Sequence, residues 1–285
     1  MPRRAEPRRS LLAFFALTFL VSWTCFIGGA AIADEASPAS TAVGYLVYLI
    51  GVFAPAFVAM ALTYRAEGRA GVHALVSGIF RWPGQARWWI FAFSYMVVVR
   101  LTAAAIHRIA LGAWPVFGRE IWLVMIPATI LSTPVQSGEE VGWRGYALPG
   151  LAARIGLGPA SVVLGAIWAC WHLPFFFIQG VDKTGQSFPL YFLGVVALSV
   201  TIAWLYWRTN GSLLLTMLLH AAANNTKDIV PVATPGATNP WTLSALPIAW
   251  IVITLYWVGG VYFLVRMRGK VLEWTSRLQN SPIAQ

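Results

Sequence analysis

Runs of about twenty mostly apolar residues, separated by short polar stretches, recur along the whole chain. A helix rises ~1.5 Å per residue, so such a run is long enough to cross the ~30 Å hydrocarbon core of a bilayer. By that rule eight spans are predicted, over residues 10–33, 42–64, 88–112, 120–148, 158–180, 188–207, 211–229 and 241–265. The expected fold class is all-α, a polytopic membrane helical bundle of about eight transmembrane helices. Short connections would make successive helices antiparallel neighbours. The longest connection, 65–87, is read as an amphipathic, interfacial segment. No fixed-period repeat or soluble domain interrupts the pattern, so residues 1–285 read as a single integral-membrane domain with short tails over 1–9 and 266–285.

Composition agrees. Hydrophobic residues make up 58% of the 285 and charged residues 11%, against roughly half and a quarter in soluble domains. So few charges cannot cover a water-soluble globule, and the lipid bilayer is the expected partner. The net charge of +10 raises nucleic-acid binding as an alternative. Its distribution argues against this, because the basic residues gather between apolar runs. Arg3, Arg4, Arg8 and Arg9 precede the first span; Arg65, Arg69, Arg81 and Arg87 follow the second; Arg154 and Arg208 follow the fourth and sixth; Arg266, Arg268, Lys270 and Arg277 follow the eighth. The alternate connections hold Asp34 with Glu35, Arg119 with Glu120, Asp182 with Lys183, and Lys227 with Asp228. The positive-inside rule then predicts that both termini are cytoplasmic. An arginine-rich start followed by Ala31-Ile32-Ala33 also suits a cleavable signal peptide, but the apolar run exceeds the usual ~7–15 residues, so it is read as a first span. Cys25 and Cys170 both lie inside apolar runs and do not form a disulfide framework.

Ionisable residues are expensive inside a bilayer, and each one there is a candidate site residue. Glu139, Glu140 and Arg144 stand out in the fourth span, His172 in the fifth, and His220 with Asn224 in the seventh. Glu140 and Arg144 are four residues apart, on one helix face, and can pair. Glu139 points about 100° away, and its own neighbour at i+4 is Trp143, which cannot neutralise it. A carboxylate left in an apolar pocket suits general-base chemistry. His220 and Asn224 share a face, as do Trp168 and His172. Counting from the turn over 149–159 places Glu139 and His172 at similar depth, with His220 in the same half of the membrane. A single intramembrane histidine is more often an interhelical hydrogen bonder. It is the convergence of a carboxylate, two imidazoles and an amide that points to a site.

The string EEVGWRG, followed by WACWH and then HAAAN on later spans, resembles the CPBP intramembrane protease family. That family includes the CAAX-type prenyl-protein endopeptidases and the bacteriocin-processing and immunity (Abi) proteins. The resemblance covers residues 139–224, the expected catalytic core, and departs from the usual pattern in having Trp168 where the family has phenylalanine. It implies an intramembrane endopeptidase acting on a membrane-associated protein or peptide. Glu139 and His172 would activate water, His220 and Asn224 would stabilise the oxyanion, and Glu140 with Arg144 would brace the first glutamate. No cofactor is certain. Zn²⁺ is possible, with Glu139, His172 and His220 as ligands and an open fourth position, although no His-Glu-x-x-His helix is present. Two other readings stay open: a transporter or ion relay, which Pro127, Pro134 and Pro174 in broken helices would suit, and a non-catalytic scaffold or immunity protein. A composition rich in Ala, Arg and Gly suggests a bacterial inner (plasma) membrane.

Overall fold

The computed structural model describes residues 10–34, 36–119, 122–178, 183, 186–234 and 237–272, with only the backbone at Trp122. The tail 1–9, most of 266–285, and Glu35, Glu120 and Asp182 of the charge pattern lie outside the described residues. The described residues are helical, with no strand and one isolated bridge between Asp34 and Ser37.

Five helices are long and apolar enough to cross a membrane: α1 (Leu11–Ile32), α2 (Pro38–Ser77), α3 (Ala86–Leu111), α8 (Phe188–Arg208) and α10 (Pro247–Met267). The residues of the other three expected spans fall on shorter or interrupted helical paths. Residues 120–148 fall on α4 (Trp122–Ser132), a 3₁₀ turn from Pro134 to Gln136, α5 (Ser137–Glu140) and a π-helical segment, Val141–Ala147, which continues as α6 (Leu148–Ile155). Proline explains the break after α4, since Pro134 lacks a donor for the helical ladder, whereas Pro127 is carried inside α4. The fifth span is α7 (Leu157–Trp171), which stops at His172 ahead of Pro174 and passes into a 3₁₀ turn, Leu173–Phe176. The seventh is α9 (Leu213–Asn225), capped by the Ser212 hydroxyl, which accepts from Leu215 N–H. The eighth starts later than expected because Pro247 opens α10.

The 65–87 connection is not a separate helix. It continues α2, whose 40 residues would run ~60 Å, twice the hydrocarbon thickness. Gly68, at φ 67° and ψ −159°, breaks the path, and helix resumes to Ser77. Only glycine adopts such backbone without strain.

Small residues let α1 and α2 touch. A Cβ on Gly29 would lie 2.7 Å from the Gly44 carbonyl oxygen, and one on Gly44 would lie 2.6 Å from that of Gly29. Ser22 Oγ donates to Gly51 O at 2.8 Å across the same seam. Apolar solvent gives helices little reason to associate by hydrophobicity, so close backbone packing of this kind has to hold them. The same device seats the π-helical segment. Gly138, Gly142 and Gly145 lie at i, i+4 and i+7, and added Cβ atoms would meet Phe53, Pro55 and Leu75 of α2. Trp82, Trp114 and Trp241 are exposed near element ends, as interface anchors should be, whereas Trp88 is buried between the guanidinium groups of Arg87 and Arg208.

Candidate active site

The interrupted helical path delivers the two glutamates. Continuing α5 into a π turn widens the helix, so that Leu148 N–H reaches back five residues to Trp143 O. Segments of this kind are rare and often mark functional sites. Both glutamates are buried, yet they face different ways.

Glu140 and Arg144 are completely buried and form the expected i, i+4 ion pair, with Arg144 Nη1 at 2.7 Å from Glu140 Oε1. The same oxygen accepts His220 Nδ1 at 2.9 Å, tying α9 to the glutamate segment. The Arg144 guanidinium also lies over the Trp168 ring, 4.3 Å from its centroid, a contact that helps to offset the loss of water around a buried cation. Arg144 Nε and Nη2 have no hydrogen-bond partner among the described residues.

Glu139 turns the other way. Its Oε2 accepts the indole N–H of Trp168 at 2.7 Å, and it lines a cavity of about 550 Å³ enclosed by α2, α3, α7, α8, α9 and α10. That volume suits a small ligand or a few residues of peptide. His172, His220 and Asn224 line the same cavity, whereas Glu140 and Arg144 do not. The side chains expected at one depth therefore open onto one space, with the ion pair behind them.

Both imidazoles are held through Nδ1. His172 Nδ1 lies 2.8 Å from the carbonyl oxygen of Trp168. A carbonyl only accepts, so the proton is on Nδ1 and a neutral His172 has its lone pair on Nε2. His220 Nδ1 is held by Glu140, which likewise directs Nε2 to any further chemistry. Trp168 stands at the centre, edge-on to both rings, with centroids 5.6 Å from His172 and 5.0 Å from His220. Glu139, His172 and His220 share the cavity, but among the described residues no three His, Cys, Asp or Glu side chains are gathered as ligands of one metal ion.

Three contributors were not anticipated. Gln136 lines the cavity and accepts Asn224 Nδ2 at 3.4 Å; a polar side chain one turn before Glu139 was the available signal. Trp168 acts as a hydrogen-bond donor, not only as an aromatic face. Arg100 of α3 also lines the cavity.

Residues 119–226 match the family described as type II CAAX prenyl endopeptidase, Rce1-like. All six candidate residues fall inside the matched segment. The CAAX prenyl protease 2 of Methanococcus maripaludis is 27% identical over 113 residues, which is 38% of this chain and 42% of that relative. The chain thus spans less than half the length of the curated relative it matches. The matched segment holds the glutamate pair of α5, all of α7 and all of α9, while α1, α2, α3 and α10 lie outside it.

Proposed function

We propose that this chain is an intramembrane endopeptidase that hydrolyses a peptide bond in a membrane-associated protein or peptide. The observation that carries this reading is that Glu139, His172, His220 and Asn224, from three separate helical segments, line one cavity between membrane helices. Residues 139–224 would be the catalytic core of a single 1–285 membrane domain, set with both termini cytoplasmic in a bacterial plasma membrane.

In the proposed reaction water sits between Glu139 and the Nε2 lone pair of His172. Glu139 takes a proton as the water oxygen bonds to the carbonyl carbon. The developing oxyanion accepts hydrogen bonds from Asn224 Nδ2 and His220 Nε2, which is how preorganised donors lower such barriers. A neutral His220 with its proton on Nδ1 would present an acceptor, so this role requires the imidazolium, whose charge the Glu140 carboxylate balances. The proton held by Glu139 then passes to the leaving nitrogen as the C–N bond breaks, giving a new carboxylic acid, which ionises on release, and a new amine. Arg144 keeps Glu140 in place, and Trp168 fixes the orientation of Glu139.

The test compares new N-termini in membranes of cells expressing wild type or Glu139→Gln at equal levels. Termini present only with wild type support the assignment. A Glu139→Gln variant that cuts as well as wild type would refute Glu139 as the base.

A further inference from the structure

The two ends of the helical bundle differ in charge. The start of α1 meets α6, where a Cβ on Gly150 would lie 3.0 Å from Leu11. The start of α3 meets the end of α8, where Arg87 and Arg208 flank the Trp88 ring, and Arg81 donates to the backbone oxygen of Asn210 just ahead of α9. The start of α7 meets the end of α10, with Gly158 against Leu264. One end therefore gathers Arg81, Arg87, Arg154, Arg208, Arg266 and Arg268, and Glu67 is the acidic residue of its connections among the described residues. At the other end α1 passes to α2 through Asp34, and Gly118 N–H donates to Asp228 O at 3.0 Å, joining the connections that follow α3 and α9. Here Arg108, Arg119, Lys183 and Lys227 stand with Asp34 and Asp228, and the same connections carry Glu35, Glu120 and Asp182 in sequence.

The site lies toward this second end. His172 directly follows the last residue of α7, and Asn224 is next to last in α9. The helical rise puts His172 about 22 Å from the start of α7. The cavity extends the same way. Its wall is completed by Lys183, Gln186 and Ser187 before α8 and by Pro231, Val232, Ala233 and Thr234 after α9. Among the described residues, none that lines it comes from the connections of the arginine-rich end. Toward that end the glutamates are backed by Trp143, Tyr146, Leu148 and Leu213, all buried, while Gly78 packs on Leu213 and Gly145 on Leu75. The approach to Glu139 is thus built from the arginine-poor end and closed by packed side chains toward the arginine-rich one. A peptide forced through that packed layer would carry unpaired backbone groups into an apolar medium, which is strongly disfavoured.

The positive-inside rule puts the arginine-rich end in the cytoplasm. We propose that the catalytic cavity opens on the extracytoplasmic side of the membrane, so that its substrates are segments of exported or membrane-anchored polypeptides lying outside the cytoplasm. This rests on the endopeptidase reading above and adds the side on which the bond is cut. Polypeptides confined to the cytoplasm, whatever holds them to the inner leaflet, do not reach Glu139.

The test uses spheroplasts of cells expressing the full chain. Three single variants carry the probe: Ala233→Cys on the cavity wall, Ser244→Cys at an exposed position of the same end, and Gly84→Cys at the arginine-rich end, where an added Cβ meets nothing within 4 Å. A membrane-impermeant maleimide should label Ala233→Cys and Ser244→Cys in intact spheroplasts as fully as after permeabilisation. Gly84→Cys should label only after permeabilisation, and the unaltered chain, with Cys25 and Cys170, sets the background. In the same cells, new N-termini present with wild type and lost in Glu139→Gln are mapped onto the topology of the proteins that yield them. Every such terminus should fall in an extracytoplasmic segment. Labelling of Gly84→Cys from outside overturns the proposal, since the bundle then sits the other way up. Ala233→Cys that stays unlabelled while Ser244→Cys labels shows a cavity closed to that side and also overturns it. Glu139-dependent termini in cytoplasmic segments overturn it too, and leave proteolysis standing. Labels on the expected sides without any Glu139-dependent terminus mean that the endopeptidase reading fails first and takes the proposal with it.

Discussion

Glu140 is the point where three parts of the site meet, and removing its partner gives a sharp energetic test. Arg144→Met leaves a fully buried carboxylate with His220 Nδ1 at 2.9 Å and the Thr216 hydroxyl beside it. Breaking one side of a buried ion pair costs about 3–5 kcal/mol, because the surviving charge has neither water nor a counter-charge. The His220 contact should hold the cost to the lower part of that range. Glu140→Leu strands the Arg144 guanidinium, whose Nε and Nη2 already have no hydrogen-bond partner among the described residues, so its cost belongs to the upper part. The double variant Glu140→Leu/Arg144→Met removes both charges. It loses the 2.7 Å hydrogen bond and leaves one His220 N–H unsatisfied, a penalty of about 1–3 kcal/mol. Stability therefore follows a non-additive pattern, in which the double variant is more stable than Glu140→Leu alone. Reversible unfolding of the purified protein in mixed micelles measures all four corners of the cycle. Activity separates from stability in the same set. The double variant folds but does not cleave, because Glu140 no longer aligns His220. A double variant destabilised by the sum of the two single effects would show that the pair is not energetically coupled, and one that cleaves normally would remove Glu140 from the site.

Trp168→Phe keeps a ring beneath Arg144 and between the histidines but deletes the 2.7 Å hydrogen bond to Glu139 Oε2; a lost bond to a charged group predicts a fall of roughly tenfold or more, mainly in kcat, measured on any substrate that wild type cuts. Gly142→Ala would put a Cβ 2.6 Å from the Pro55 backbone, and overpacking of that kind costs about 1–3 kcal/mol. Gly28→Ala, with nothing within 4 Å of the added atom, serves as its control and should leave unfolding unchanged within about 0.5 kcal/mol.

Periodicity and length made the helical class legible, since a run such as Leu11–Ile32 has no soluble alternative that would satisfy both its backbone and its side chains. The same rule misread the region that matters most for chemistry. Residues 120–148 are apolar enough to count as one span, yet the path breaks at Pro134 and runs on into a π-helical segment, with the Gly138, Gly142, Gly145 face packed on α2. An unbroken α-helix would also set Glu139 and Glu140 about 100° apart. What spacing alone does not supply is the neighbour each one meets. The Glu140–Arg144 pair was readable because it is local. The His220–Glu140 contact, 80 residues apart in sequence, and the Trp168–Glu139 contact, 29 apart, depend on how α7 and α9 pack. No periodicity encodes that packing. Arg100 shows the limit most plainly. As one cation in an apolar run it had no partner to argue from. Its setting comes from the tertiary structure, which closes α10 and the Val230 carbonyl around it and brings it to the wall that Glu139 shares, with no carboxylate paired to it among the described residues. A buried charge at membrane depth is costly, so what surrounds it is decided by packing between helices that no run of apolar residues records.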